Sequence, residues 1–511
     1  MPVTGRNFAS WPHRAPRGKR RSGLLVIFLV AIAALWPSVL NGGPFYHPDT
    51  PTYFRAAAAG SYKTVGLRTA WTEKFLRVYV QRNQDATGAQ DVSKASSEGP
   101  ITLKGRSIYY GVFLYLSYLF GSLWIVTAVQ SLIAATSIYL TVRSIGRAQG
   151  TAFPQGRVLI IGLIAPLATS LGFFSAYLMP DIFTGLGVLA VANLLFFWNF
   201  QSRVEKTFWI AILAYAMLVH STNLVLSAGL IAVSIAYALW QKIPISGAQL
   251  ASIGCCIAGG LLGQAAYSVA VKAGTGESPV RIPFIAMRLI ADGPGYDYLK
   301  AHCATERYVY CRVLDQKTTH SDVLLWSSDP KISLFRGLDA DDQRTSAAQQ
   351  TQFVIAVLKE KPLPVITSAA RNSVGQLLSM DLSTFNYSAV NRQRYESNVP
   401  SGTYASMRLT RAYKGSMPTR FIESAMALLC ILSLLFLVGF LASSRYRNAG
   451  PQVRAYCVCI LAGIAINAVI CGALSGPKGR YESRLIWVLP IIAAAVAASS
   501  GMPMPVPNRA T

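Results

Sequence analysis

The sequence predicts an α-helical polytopic membrane protein of about ten transmembrane helices, in the range of about nine to twelve, with a soluble insert on its outer face. Three observations lead there. Of 511 residues, 52% are apolar and only 14% are charged, where a water-soluble chain carries about a quarter. Mean hydropathy is positive, +0.37. Apolar runs long enough to cross a bilayer, roughly 20 residues each, recur along most of the chain. Together these exclude an ordinary cytosolic enzyme, a disordered chain and a disulfide-dense scaffold.

The elements follow in order. Residues 1–22 form a basic cytoplasmic tail. The first apolar run, 24–40, follows Arg14, Arg17, Lys19, Arg20 and Arg21; no small-residue cleavage site follows it, so it reads as a retained anchor rather than a removed signal. An outer loop over 41–107 leads to a short apolar segment, 109–120, of re-entrant or interfacial length. Spans are expected near 122–142, 158–176, 182–199, 207–221, 223–240 and 248–270, completing an N-terminal membrane core over 23–270. A soluble extracytoplasmic domain of 271–420 is large enough for its own small core. Three spans near 421–443, 455–474 and 485–500 make up the C-terminal membrane part, 421–500, and a second cytoplasmic tail, 501–511, ends the sequence.

Charge fixes the expected orientation. Lys and Arg number 47 against 22 Asp and Glu, a net charge of +25. With both termini inside, the short inner segments carry sixteen basic residues and one acid, Glu205, which satisfies the positive-inside rule. The larger share of the excess, +15, then faces anionic inner-leaflet lipid, and no nucleic-acid partner is called for. The expected location is the inner (plasma) membrane of the cell envelope, with both termini cytoplasmic. Six of the eight cysteines fall in expected spans, where they act as small apolar residues. Cys303 and Cys311 fall in the insert, where a disulfide in an oxidising compartment is favoured over a metal pair.

Polar groups at the outer membrane edge carry the chemistry, because burying them near lipid is expensive. Asp49 lies in Gly43-Pro44-Phe45-Tyr46-His47-Pro48-Asp49-Thr50-Pro51-Thr52-Tyr53. Thr50 reads as an N-cap with Pro51 in the first turn, so Asp49 stands at a helix start whose dipole favours an ionised carboxylate. It is a candidate base for an incoming hydroxyl; the alternative is a plain helix cap. Tyr53, one turn on, is expected to face the same site, and His47 could join a metal. Asp181, after Tyr177-Leu178-Met179-Pro180, is the only acid between Glu98 and Glu205; N-cap duty is its alternative. Arg480 and Arg484, one turn apart, can grip a phosphate between two guanidinium forks, or snorkel beside Trp487. His220 precedes Ser221-Thr222-Asn223 and reads as a ligand or, more readily, as part of a polar turn. No P-loop, H-E-x-x-H or G-x-S-x-G motif occurs, which argues against ATP-driven transport, zinc proteolysis and a serine-hydrolase elbow. Spans poor in charge argue against an ion-coupled transporter.

These segments resemble the C-type (GT-C) glycosyltransferase superfamily, integral-membrane enzymes that use polyprenyl-phosphate-linked sugars, such as protein O-mannosyltransferases and aminoarabinose lipid A transferases. The resemblance rests on Asp49-Thr50-Pro51-Thr52-Tyr53 with Arg55-Ala56-Ala57, on Arg106-Ser107-Ile108-Tyr109-Tyr110-Gly111-Val112-Phe113-Leu114, on Asp181, and on Arg480-Tyr481 before the last span. It covers the membrane core. Gly111 stands where the family usually has proline, and Thr50 follows Asp49 where many members have an acidic pair. The resemblance implies a GT-C-like fold and a glycosyltransferase moving a sugar from a polyprenyl-phosphate carrier to an acceptor hydroxyl on the outer face. Asp49 would be the base, and Asp181 would bind a divalent cation (Mg or Mn) or orient the acceptor. Arg480, with Arg484 and Arg106, would hold the lipid phosphate. The alternative is a non-catalytic binder or flippase of lipid-linked saccharides in cell-envelope assembly.

Overall fold

The computed structural model describes residues 17–76, 103–104, 107–315, 318–443 and 450–500. Arg106 lies outside the described residues. Nearly all regular structure is helical, and the described strands, β1 (Leu103–Lys104) and β2 (Val280–Arg281), form one two-residue parallel pair.

Among the described residues, seven helical segments are long and apolar enough to cross a membrane: Arg21–Asn41, Trp124–Ala148, Ser221–Trp240, Gly247–Gly274, Thr419–Ala442, Pro451–Leu474 and Gly479–Ser499. Three further expected spans are shorter. The run at 158–176 ends as a helix at Ala168, just past Pro166, where the ring removes a backbone donor. The other two are the helices Ile182–Phe196 and Arg203–Val219. The molecule is therefore a membrane-embedded α-helical protein. The helices used below are α1 (Arg17–Ala34), α2 (Thr50–Val65), α3 (Ile108–Leu119), α4 (Trp124–Ala148), α5 (Gln155–Ala168), α6 (Ile182–Phe196), α7 (Arg203–Val219), α8 (Ser221–Trp240), α9 (Gly247–Thr275), α10 (Ala340–Glu360), α11 (Pro362–Leu378), α12 (Thr419–Ala442), α13 (Pro451–Leu474), α14 (Gly479–Ile486) and α15 (Val488–Ser500).

Helix ends follow local chemistry. Ser202 with Glu205, and Ser246 with Gln249, form reciprocal capping boxes at the starts of α7 and α9, each satisfying two orphan donors. Every residue of α6 is buried, and α4, α7, α8 and α13 surround it. The second buried axis is α14–α15, packed against α4, α5 and α12. By contrast α9 and α12 leave Leu261, Leu262, Val269, Phe421, Leu428 and Leu435 exposed. That polarity suits a lipid-facing rim around a close-packed interior.

The insert divides. Val280, Met287, Tyr298, Tyr310, Phe353 and Val365 belong to a separate core, and Cys303 and Cys311 form a disulfide within this half. Leu382, Phe385, Tyr387, Tyr395, Val399 and Met407 instead join the core of the membrane part. Only the first half thus behaves as the separate domain that length suggested.

Candidate functional site at the starts of three helices

Asp49, Asp181 and Arg480 are far apart in sequence; backbone pairing brings the first two together, and packing of α14 against α6 brings Arg480 to them. The Phe45 amide donates to the Ala176 carbonyl at 2.9 Å, and the Leu178 amide donates back to Phe45 at 2.9 Å. This parallel bridge lays the segment leading to Asp49 beside the turn leading to Asp181. Thr50 fastens the same join: its hydroxyl accepts from the His47 amide at 2.9 Å and donates to the Leu178 carbonyl at 3.1 Å. That corrects the expected N-cap, since the Thr50 side chain is spent on the join and Asp49 occupies the cap position without a side-chain cap bond.

Asp181 likewise precedes α6 without capping it by its side chain. Its carboxylate lies 3.7 Å from Arg480 Nε and 3.7 Å from Arg484 Nη1. From Arg480 the line continues outward. Arg480 Nη1 is 2.9 Å from His47 Nε2, and a guanidinium only donates. Nδ1 is 3.4 Å from Asp49 Oδ2, and the Asp49 amide donates to Nδ1 at 3.2 Å. The chain of groups runs Asp49, His47, Arg480, Asp181, Arg484. Side-chain exposure falls along it, from 25% at Asp49 and 18% at His47 to 14% at Arg480 and 1% at Asp181 and Arg484. The outer members are reachable and the inner ones form a floor.

Electrostatics follow from this geometry. Burial drives the His47 imidazole down to about 4, helped by the Arg480 charge and opposed by Asp49 and Asp181. His47 is therefore neutral at physiological pH. At Asp181 burial pushes the carboxyl up, but Arg480 and Arg484 outweigh it and hold it below the usual carboxylate range. Burial also raises the Tyr177 phenol, which stays protonated beside Arg480. Among the described residues, both Asp181 oxygens, and Arg484 Nε and Nη1, have no hydrogen-bond partner, so the floor holds charge in ion contact with donor and acceptor capacity left over.

Neighbouring groups fix the line in place. Arg484 Nη2 donates to Asn467 Oδ1 at 3.1 Å, and Asn467 Nδ2 donates to Glu482 at 3.2 Å. Gln376 of α11 brackets Lys478: its amide donates to the Lys478 carbonyl at 3.0 Å and its carbonyl accepts from the Lys478 amide at 2.8 Å. Glycine stands at 479, the first residue of α14, where any Cβ would overlap the Asp381 carboxylate. Two insert tyrosines grip the residue before His47. Tyr387 accepts from the Tyr46 amide at 2.7 Å, and Tyr395 donates to the Tyr46 carbonyl at 3.1 Å. His220 caps α8 by accepting from the Thr222 amide at 3.3 Å, the polar-turn reading.

Tyr53 is buried edge-to-face against Tyr110, with ring centres 5.5 Å apart. Tyr110 donates to Gln130 at 3.1 Å, and Gln130 donates to the carbonyls of Ser175 and Tyr177. It thus supports the turn that carries Asp181. Gly111 has its own reason: a Cβ there would meet the Tyr53 carbonyl oxygen at 2.5 Å, so glycine lets α3 close on α2 where proline could not.

The tyrosines from the insert, Gln376 and Asp381 were missed by sequence reasoning, since nothing local marks them. Asn467 carried a signal, an amide inside an apolar run. The divalent cation fits this donor set poorly. Among the described residues no three His, Cys, Asp or Glu side chains are grouped to hold a metal ion, and two guanidinium groups flank Asp181, where they repel a cation. Comparison of the chain with protein-family models, curated proteins and solved structures returns no match.

Proposed function

We propose that the protein transfers a sugar from a polyprenyl-phosphate carrier to an acceptor hydroxyl at the membrane face that bears the insert. The observation that carries this reading is the graded line itself: a reachable carboxylate, Asp49, joined through neutral His47 to an arginine pair at the membrane edge. Helices α2, α6 and α14 all start at this cluster, so their positive dipole ends add to the two arginines. Phosphate-like anions suit such a place.

In the reaction the acceptor oxygen forms a bond to the anomeric carbon, and the bond from that carbon to the carrier phosphate oxygen breaks. The acceptor proton passes to Asp49. The leaving phosphate keeps the electron pair, and Arg480 and the helix starts stabilise its growing charge. Asp181 acts as the buried counter-ion that fixes Arg480 and Arg484, a role for which its 1% exposure suits it better than direct contact with an acceptor.

The deciding experiment incubates the reconstituted protein with a polyprenyl-phosphate sugar and an acceptor pool, and follows glycan product by mass analysis. Asp49→Asn is expected to lower turnover by about a hundredfold or more, the scale of a lost general base, while carrier binding persists. Arg480→Ala is expected to weaken carrier binding. Absence of product from the parent protein, with carrier binding that is lost in Arg480→Ala, would replace catalysis with carrier binding or flipping, and normal product from the Asp49→Asn protein would remove Asp49 as the base.

A further inference from the structure

Helix α11 is built inside out for a helix of a water-soluble domain. Its buried positions are Val365, Ser368, Asn372 and Gln376, a mostly polar stripe spaced by three and four. Ser368 donates to Val365, Asn372 to Asp292, and Gln376 to Lys478. The opposite stripe is apolar and open: Leu363 is 72% exposed, Ile366 61%, Val374 59% and Leu378 72%. A helix on a soluble domain turns its apolar stripe inward and its charges outward. Here the one charged residue within the helix is Arg371, on the flank of the stripe, and Lys359 and Lys361 stand just ahead of it.

The surroundings indicate what covers the stripe. Helix α11 packs along α13, a spanning-length helix, so closely that a Cβ at Gly472 would meet the Asn372 carbonyl oxygen at 2.5 Å. On α13, Val469 and Leu474 are themselves exposed, so the spanning helix on which α11 packs also turns apolar residues outward. Ile355 and Leu358 are exposed on α10, the helix just before α11. A 17-residue helix is about 25 Å long, fit to lie in the leaflet with its basic residues among head groups.

From this we infer that α11 is embedded in the bilayer, in the leaflet on the insert's side, with Leu363, Ile366, Val374 and Leu378 in contact with lipid. The insert is then partly a membrane element. Because Gln376 brackets Lys478, the segment carrying Arg480 is tethered to a helix anchored at the depth where a lipid-linked phosphate travels. The placement of α11 does not depend on the chemistry proposed for the site.

The test uses the full chain in vesicles of equal parts phosphatidylcholine and phosphatidylglycerol. Cysteine replaces Ile366, Val374 or Leu378 in turn, and Asp341, whose side chain is 84% exposed, as the aqueous control. A charged, membrane-impermeant maleimide is added, and labelling of the parent protein is subtracted. The Asp341→Cys plateau gives the accessible fraction of molecules, and labelling in sodium dodecyl sulfate gives the total thiol. Because maleimide needs a thiolate, which apolar surroundings suppress, the three stripe positions are expected to react at least roughly tenfold more slowly than Asp341→Cys. Equal rates would place the stripe in water and overturn the inference. Slow labelling joined to a Val374→Cys disulfide between two chains under mild oxidant would also overturn it, in favour of a second copy on the stripe.

Discussion

His47 makes the site's response to pH calculable at a single residue. Its folded value, near 4, is below the unfolded value of about 6.5. A depressed histidine binds its proton more weakly folded than unfolded, so the unfolded chain gains protons first as pH falls. Stability from this group is complete above about pH 6.5 and is lost as pH drops toward about 4. The expected loss between about pH 7.5 and about pH 5 is ~2 kcal/mol. Thermal unfolding at the two pH values checks it, because His47→Gln removes the titration and leaves the variant less acid-sensitive than the parent by that amount. Asp181 gives a larger effect by another route. Asp181→Asn removes the counter-ion of a fully buried Arg484 and a nearly buried Arg480, and an uncompensated buried charge costs about 3–5 kcal/mol. A plain helix cap would cost ~1 kcal/mol, so the melting temperature of this one variant separates the two roles.

At the scale of elements, the site depends on segments that lie outside it. The bridge between Phe45 and Tyr177 sets the distance from Asp49 to Asp181, and the tyrosine grip on Tyr46 sets where His47 stands. The Gln376 bracket is the point where α11 holds the loop before α14. Gln376→Ala leaves the Lys478 amide and carbonyl without these partners, at about 1–3 kcal/mol. It is also expected to loosen Arg480 relative to His47. If the bracket positions the arginine, the variant loses carrier affinity, read by titration with a polyprenyl phosphate, and Gln376→Glu, which keeps the acceptor toward the Lys478 amide, recovers part of it. A bracket that merely stabilised the fold would lower the melting temperature of both variants and leave carrier affinity unchanged.

For the molecule as a whole, the division of the insert matters more than its length. One half has its own core and a disulfide; the other is part of the membrane core and supplies Tyr387, Tyr395 and Asp381 to the surroundings of the site. Replacing Cys303 and Cys311 with serine opens a short loop, a loss of about 2–3 kcal/mol by loop-closure entropy. Because that core is separate, the loss is expected to fall on residues 280–365 alone. Limited proteolysis of the variant should cut within that stretch sooner than in the parent, with the spans protected to the same extent in both.

Composition and periodicity were enough to read a membrane-embedded helical chain and the polar residues that gather at one cluster. These are local properties: a run of apolar residues needs lipid or a core wherever it lies, and an acid beside a span is costly whatever its partner. What met what was decided only by the tertiary structure. That Asp49 stands beside Asp181 follows from a bridge between segments about 130 residues apart, and that it reaches Arg480 through His47 follows from a contact across 433 residues; no spacing within any one segment encodes either. Helix α11 shows the limit most plainly. Its two stripes can be counted from the sequence, but an amphipathic pattern does not say which stripe faces inward; packing of the polar one onto α13 and Lys478 turned the apolar one out.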